Sequence, residues 1–202
     1  IFDPQGNLAY STYIGSDQRD QIFDLTVDEN RHIYAAGMTS SATFPVVNPI
    51  QSNYGGGWED AFVLKIDPWS NRLLYSTFLG GYVREEIHGI AVDDEGHAYV
   101  TGFTTSPNFP TANAFDPDFA GGETWDAIVA KLAPEGNQLI YSTFLGGMDT
   151  DQGWDISIDP AGNAYVIGET RSSNFPIVEP AQAGYGGGVS DAFVAHFSPT
   201  GE

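Results

Sequence analysis

The chain has 202 residues, with 27 acidic against 7 basic side chains and a formal net charge of −20. This balance argues against a nucleic-acid partner, because phosphate binding needs patches of Lys and Arg. There is no Cys, which excludes disulfides and thiolate chemistry, and no apolar run is long enough to predict membrane insertion.

The first element in the chain is also the key to its organisation. Residues 10–15 read Tyr-Ser-Thr-Tyr-Ile-Gly, and close copies return at residues 75–80 and 141–146. A fixed period of about 66 residues is typical of a solenoid, a propeller or an array. We therefore predict one continuous repeat array over residues 1–202. Its repeats are approximately 8–72, 73–138 and 139–202.

Each repeat carries four candidate strands. In the first repeat these are residues 8–14, 22–28, 32–39 and 60–67. They are rich in aromatic and β-branched residues and are separated by turn residues. A tight turn joins the second and third strands and carries Gly in repeats two and three, but Arg31 in repeat one. Because Gly supplies the positive φ of such turns, Arg31 predicts a different or strained turn.

Four antiparallel strands per repeat are typical of a β-propeller blade. The predicted fold is therefore an all-β propeller array of three four-stranded blades. Strand alternation in residues 22–28 predicts that Phe23, Leu25 and Val27 pack between blades, with Asp24 facing the central channel. The long connection over residues 40–59 is predicted to be a binding or packing loop.

The repeated motifs resemble those of the SBBP family of bacterial β-propeller repeats. In the third repeat they read Tyr-Ser-Thr-Phe-Leu-Gly-Gly, Asp-x-x-Gly-Asn-x-Tyr-Val-x-Gly, Asn-Phe-Pro, Tyr-Gly-Gly-Gly and Asp-Ala-Phe-Val. The resemblance implies a propeller in a secreted or cell-surface protein. It implies no single activity and no catalytic residue set.

The two ends of the chain match each other at a distance of three repeats. Residues 2–7 (Phe-Asp-Pro-Gln-Gly-Asn) correspond to residues 197–202 (Phe-Ser-Pro-Thr-Gly-Glu). We therefore expect residues 1–14 to supply an outer strand for another blade. Because propellers hold about 4–8 blades, three arrangements stay open: a piece of a longer propeller, a six-bladed ring of two copies, or a filament in which each copy lends its first strand to the next.

Acidic residues recur in the loop that follows each Tyr-Ser-Thr strand. Calcium prefers several oxygen ligands, so this loop is a candidate Ca²⁺ site, with solvated surface acids as the alternative. The candidate ligands are Asp17, Asp20, Glu85, Glu86, Asp149 and Asp151. No EF-hand spacing is present to decide between the two interpretations.

Aromatic residues beside the Gly-rich loops form a second candidate site. They could provide a platform for sugars or peptides, and close backbone packing of the glycines is the alternative. The residues are Trp58, Trp125, Tyr54 and Tyr185.

The sequence favours a non-enzymatic function. Ser11, Ser76 and Ser142 recur in every repeat, whereas a catalytic Ser should occur once, beside one base. We predict an extracellular or cell-surface module for scaffolding, adhesion or self-assembly, whose partners are copies of itself or neighbouring blades of a longer parent chain. The alternative is a propeller within a larger secreted protein that binds carbohydrate, peptide or Ca²⁺.

Overall fold

The protein is built from eleven strands in three antiparallel sheets. The computed structural model describes residues 1, 4–122 and 124–202, and these ranges contain no helix that could span a membrane. Sheet 1 has the order β1-β2-β3-β4, sheet 2 the order β5-β6-β7-β8, and sheet 3 the order β9-β10-β11. The strands are β1 Asp20–Val27, β2 Ile33–Thr39, β3 Asp60–Asp67, β4 Arg72–Leu79, β5 Glu85–Val92, β6 Ala98–Thr104, β7 Asp126–Leu132, β8 Leu139–Leu145, β9 Asp151–Ile158, β10 Ala164–Thr170 and β11 Asp191–Phe197.

The first strand of every sheet has a β-bulge at the same place. In β1 the register shifts between Ile22 and Asp24, which leaves Phe23 as the extra residue. The predicted alternation of Phe23 with Leu25 is therefore wrong, because a bulge inserts one residue into the period of two. The bulge also explains Gly37 on the facing strand, since a Cβ there would overlap the Gln21 carbonyl oxygen.

The turn after β1 keeps the same hydrogen bonds as its two counterparts. The Asp28 N–H donates to the His32 carbonyl at 3.2 Å, and the Arg31 N–H donates to the Asp28 carbonyl at 2.9 Å. Arg31 adopts a φ of 66°, where Gly96 in the second turn has 89°. The turn in repeat one therefore has the same form as those in repeats two and three. Its strain comes from the left-handed conformation of Arg31, which is not a Gly.

The three sheets pack face to face through apolar side chains. One core cluster joins sheets 1 and 2 and includes Tyr34, Tyr75 and Ile90, and a second joins sheets 2 and 3 through Tyr141 and Phe197. A Tyr hydroxyl also crosses each junction: Tyr34 donates to the Gly96 carbonyl and Tyr99 to the Gly162 carbonyl, both at 3.3 Å. Successive sheets therefore repeat one kind of contact.

In sheets 1 and 2 the long connection folds back over the outer strand. Val47 forms an isolated antiparallel bridge with Ser76 on β4, and Phe44 stacks on Phe62 with ring centroids 4.4 Å apart. The equivalent Phe109 and Phe175 also pack against aromatic rings of their own sheets. The packing role predicted for this loop is confirmed.

The predicted strand over residues 8–14 is wrong for this chain. These residues lie outside all eleven strands, although their sequence closely resembles those of β4 and β8. The physical reason is position: an outer strand forms only beside a third strand, and the third strand without a neighbour is β11, at the other end of the array.

Candidate functional site

Sheet 3 has an open place for one more strand. In sheets 1 and 2 the third strand pairs on both sides, with β4 and β8 as the outer partners. Among the described residues, β11 pairs only with β10. Its outer edge, which we call the acceptor edge, therefore presents unpaired backbone N–H and C=O groups of the kind that recruit another strand.

A cavity of about 1660 Å³ lies along the acceptor edge. Its lining includes Val194 and Phe197 of β11, Phe175 and Tyr185 of the long connection, and Ile140 of the neighbouring sheet. In sheets 1 and 2 the counterparts of Phe175 and Tyr185 lie against β4 and β8. The cavity is thus the space that a fourth strand would occupy.

In the complete sheets an aromatic ring of the outer strand fills this space. Phe78 packs against Phe44 and Tyr54, with centroid distances of 6.2 and 5.9 Å. Phe144 packs against Phe109 and Phe119 in the same manner, at 6.0 and 5.7 Å.

Sheet 3 keeps the surrounding rings of this pocket but has no outer-strand ring among the residues that the structure describes. Phe175 and Tyr185 both line the cavity. Val178, the counterpart of the bridging Val47, is 77% exposed. Both observations follow from the open strand position.

The segment over residues 8–14, which we call the donor segment, belongs to none of the three sheets, and its backbone bonds run from Ala9 and Tyr10 to Ile1. Tyr10 and Ile14 pack on the apolar face of sheet 1, where the cluster of Phe62 and Leu64 lies. Tyr13 points the other way and is 101% exposed, whereas its counterparts Phe78 and Phe144 are each 1% exposed.

The corner that follows the donor segment is also formed. The Ser16 N–H donates to Asp20 Oδ2 at 2.6 Å, as the Gly81 N–H does to Glu85 Oε2 at 2.9 Å and the Gly147 N–H to Asp151 Oδ2 at 2.6 Å. The donor segment therefore leads into sheet 1 as β4 leads into sheet 2. Unlike β4, however, the donor segment does not pair with a third strand.

Three of the candidate calcium ligands accept the backbone hydrogen bonds that hold these corners. Asp20, Glu85 and Asp151 begin β1, β5 and β9 and accept from the loop N–H groups just described. Asp20 and Glu85 each accept a further 2.6 Å hydrogen bond, from the Thr39 and Thr104 hydroxyls. These bonds fix the corner between consecutive sheets.

The other three candidate ligands each have different hydrogen-bond partners. Asp17 accepts from Ser41 and Thr43 at 2.6 and 2.8 Å, which lowers its pKa. Glu86 contacts Arg84 and His88. For Asp149, the backbone N–H donates to the Ser172 hydroxyl. The described residues contain no group of three or more acidic or His side chains that could hold a metal, and calcium binding stays a prediction.

Sequence reasoning missed two buried carboxyl groups at the sheet junctions. Asp60 and Asp126 begin β3 and β7 and are fully buried, and one oxygen of each has no hydrogen-bond partner. Burial is the main cause that raises the pKa of each to about 7, and the charges of Glu85 and Asp151 respectively contribute to this rise. The repeated Asp-Ala-x-Val motif was the signal that could have revealed them.

The four aromatic candidates occupy different surroundings. Trp125 stacks on Phe103 with centroids 4.6 Å apart, and the Arg84 guanidinium lies over both rings. Trp58 is 75% exposed, Tyr54 packs against Phe78, and Tyr185 lines the cavity. A shared platform for a sugar or peptide stays a prediction.

The bulged residues form an aromatic row that the sequence did not predict. Phe23 meets His88 edge to face at 5.1 Å, and His88 stacks on Trp154 at 5.0 Å. The row ends at Trp154, which is 47% exposed. Equivalent positions in the three repeats were the available signal.

Comparison with known families agrees with this geometry. The family model for the SBBP beta-propeller repeat matches the chain twice, at residues 9–45 and 140–176. The resemblance found in the sequence is thereby confirmed. The second match starts on β8 and the first on the donor segment, so the segment occupies the position of an outer strand in the repeat. No curated protein matches the chain.

Proposed function

We propose that this protein is a propeller-type interaction module that associates with copies of itself by strand exchange. The donor segment of one copy adds to the acceptor edge of another and becomes the fourth strand of its third blade. The observation that carries this proposal is that one chain contains both an outer-strand sequence outside its sheets and an open outer-strand position.

The internal sheets give the register of the exchanged strand. Val63 pairs with Thr77 and Val129 with Thr143 in the two complete sheets. The equivalent pair across the new contact is Val194 with Thr12. In this register Tyr13 enters the cavity between Phe175 and Tyr185.

The energetics require the whole segment rather than one anchor. Burying Tyr13 contributes about 1.5–3 kcal/mol, whereas association costs about 4–15 kcal/mol in lost freedom. Covering Val178 and Val194 adds apolar burial, and pairing the acceptor edge satisfies its backbone groups. Because Tyr10 and Ile14 are already held against sheet 1, the segment also loses less entropy on docking.

A non-enzymatic role at the cell surface or outside the cell fits these features. The repeat family supports an interaction module, and the net charge of −20 favours solubility at an exposed location. Scaffolding and adhesion are the roles that repeated self-association would serve. The extracellular placement rests on the family resemblance alone.

A register-specific disulfide tests the proposal, because the natural chain has no Cys. In the Thr12→Cys/Val194→Cys variant, directly opposed strand residues come within the Cα separation that a disulfide needs. We expect covalently linked copies after mild oxidation. In the control, Thr12→Cys/Ala195→Cys, the two side chains lie one residue out of register and should link far more slowly.

The proposal also predicts the effect of deletion. Removing residues 1–14 should abolish association and leave the far-ultraviolet circular dichroism of the three sheets in place. Equal cross-linking of both Cys variants, no cross-linking at all, or unchanged association after the deletion would each overturn strand exchange.

A further inference from the structure

Docking of the donor segment would also bring sheet 1 of its own copy next to the acceptor copy. The corner from Gly15 to Asp20 has the length of the corners from Gly80 to Glu85 and from Gly146 to Asp151, and all three are held by equivalent hydrogen bonds. A segment docked on β11 therefore places sheet 1 of its own copy directly against sheet 3 of the acceptor.

The two faces that would meet are exposed only at the ends of the array. On sheet 1, Ile22 and Leu25 are 43% and 58% exposed, whereas their counterparts Ile87 and Ile90 are 0% and 4% exposed beneath sheet 1. The side chains at these positions are therefore buried wherever another sheet precedes their own.

Sheet 3 shows the complementary difference. Tyr165 is 41% and Val194 76% exposed, while the equivalent Tyr99 and Val129 are both fully buried beneath sheet 3. Apolar faces of this kind on both ends of a soluble chain indicate an interaction surface.

The polar and aromatic contacts of the internal junctions have counterparts at the ends. Asp24 Oδ2 accepts from the Ile90 N–H of the next sheet at 2.9 Å, and Asp155, its counterpart, lies on the last sheet of this chain. The exposed side of Trp154 is able to receive Phe23 of another copy, which would continue the row from Phe23 through His88 to Trp154.

We infer that two copies exchange their donor segments reciprocally and close a single six-bladed ring. This inference rests on the proposed strand exchange. Propellers close with about 4–8 blades, and two copies of this chain bring six blades together. Closure also covers the acceptor edge and both apolar end faces, which a filament leaves exposed at its ends.

The closing junctions differ from the internal ones at two residues of sheet 1. The internal junctions place Gly136 and Gly201 against the rings of Tyr75 and Tyr141, so closely that a Cβ would overlap the ring. Asn71 occupies this position in sheet 1.

The second difference lies in the turn that a Tyr hydroxyl contacts. A Cβ on Gly96 or Gly162 would lie 3.2 or 3.3 Å from the hydroxyl oxygen of Tyr34 or Tyr99, and Arg31 occupies this position in sheet 1. The closing junctions must therefore be wider, and Arg31→Gly/Asn71→Gly should tighten association.

The Thr12→Cys/Val194→Cys variant distinguishes the ring from its alternatives. After oxidation, the ring gives one species of twice the 21.8 kDa chain mass, held by two disulfides and with no free thiol. A ladder of larger covalent species would overturn the ring and leave strand exchange intact. No linked species would overturn strand exchange itself.

A second variant tests the packing of sheet 1 on sheet 3 without touching the exchanged strand. Leu25→Glu places a charge on the apolar face of sheet 1, so the dissociation constant measured by sedimentation should rise at least about ten-fold, since burying an unpaired charge is costly. The matched control is Tyr82→Glu, which adds the same charge on an exposed loop between sheets 1 and 2. Tyr82 is 53% exposed in the native chain, so this control should leave the constant unchanged. An unchanged constant for Leu25→Glu would overturn the ring.

Discussion

The buried carboxyl of Asp126 should make the protein less stable as the pH rises. Asp126 is fully buried, its Oδ1 has no partner, and Asp151 lies across the same small space beside Gly146. Burial raises its pKa from 3.8 to about 7. The folded state therefore binds this proton more tightly than the unfolded chain, and the penalty for losing it grows from the unfolded pKa up to the folded one.

The magnitude follows from the shift. About three pKa units correspond to roughly 4 kcal/mol above pH 7, of which about 3 kcal/mol develops between pH 5 and pH 8. Asp60 is raised to about 7 by the same cause and contributes a similar slope. Asp28 and Glu86 have lowered pKa values, so the stability they contribute is lost only at more acid pH, outside this window.

The test is Asp126→Asn, followed by urea unfolding at pH 5 to 8. The amide is neutral, its oxygen can accept the Ala120 N–H as Oδ2 does, and its N–H₂ can donate to Asp151. We expect the variant to be more stable than the natural protein at pH 8, by up to about 4 kcal/mol, and to have a smaller pH slope. The double variant with Asp60→Asn should have a still smaller slope, and the slope that remains includes Glu85 and Asp151, whose pKa values burial also raises.

The exposed Asp118→Asn provides the control and should leave both stability and slope unchanged. If Asp126→Asn kept the natural slope, or lowered stability at pH 8, the assignment of the burial penalty to this carboxyl would be wrong.

Three further substitutions test the backbone and packing arguments, each by urea unfolding. Arg31→Gly should stabilise the protein by about 0.5–1 kcal/mol, because it removes a left-handed non-Gly residue at φ 66°; a loss of stability would contradict the strain. Gly136→Ala should cost more than Gly122→Ala, because both have positive φ but only the first places a Cβ into the Tyr75 ring; equal costs would refute the steric argument. Trp58→Ala should change stability by less than about 0.5 kcal/mol, since this side chain is 75% exposed, and a larger change would reveal a contact absent from the structure.

Local chemistry made much of the fold predictable from the sequence. The predicted strand over residues 60–67 coincides with β3. Asp28 caps the turn after β1 by accepting a 2.9 Å hydrogen bond from the His32 N–H. Both features depend on a few consecutive residues, so the local sequence is enough to predict them.

Features that depend on a neighbouring sheet were not predictable in the same way. The bulge at Phe23 depends on the close approach of Gly37 on the next strand, and the row through His88 depends on three sheets side by side. The elevated pKa of Asp60 arises from burial at a junction between two sheets. The sequence does not predict this burial, because an Asp in an alternating strand pattern is expected to face the solvent. The open strand position required the strand order of all three sheets.

The fate of the Tyr-Ser-Thr segments shows that the sequence repeat and the folded sheet are offset by one strand. Both family matches begin at such a segment, yet β4 and β8 complete the sheet before the corner and pack on the sheet after it. Every junction is therefore joined both by the chain and by side-chain packing. The same residues in the donor segment have the packing on sheet 1 but no sheet before them. This offset leaves the donor segment outside sheet 1 and β11 without an outer partner among the described residues, and the proposed strand exchange would give both of them the contacts that the internal junctions already have.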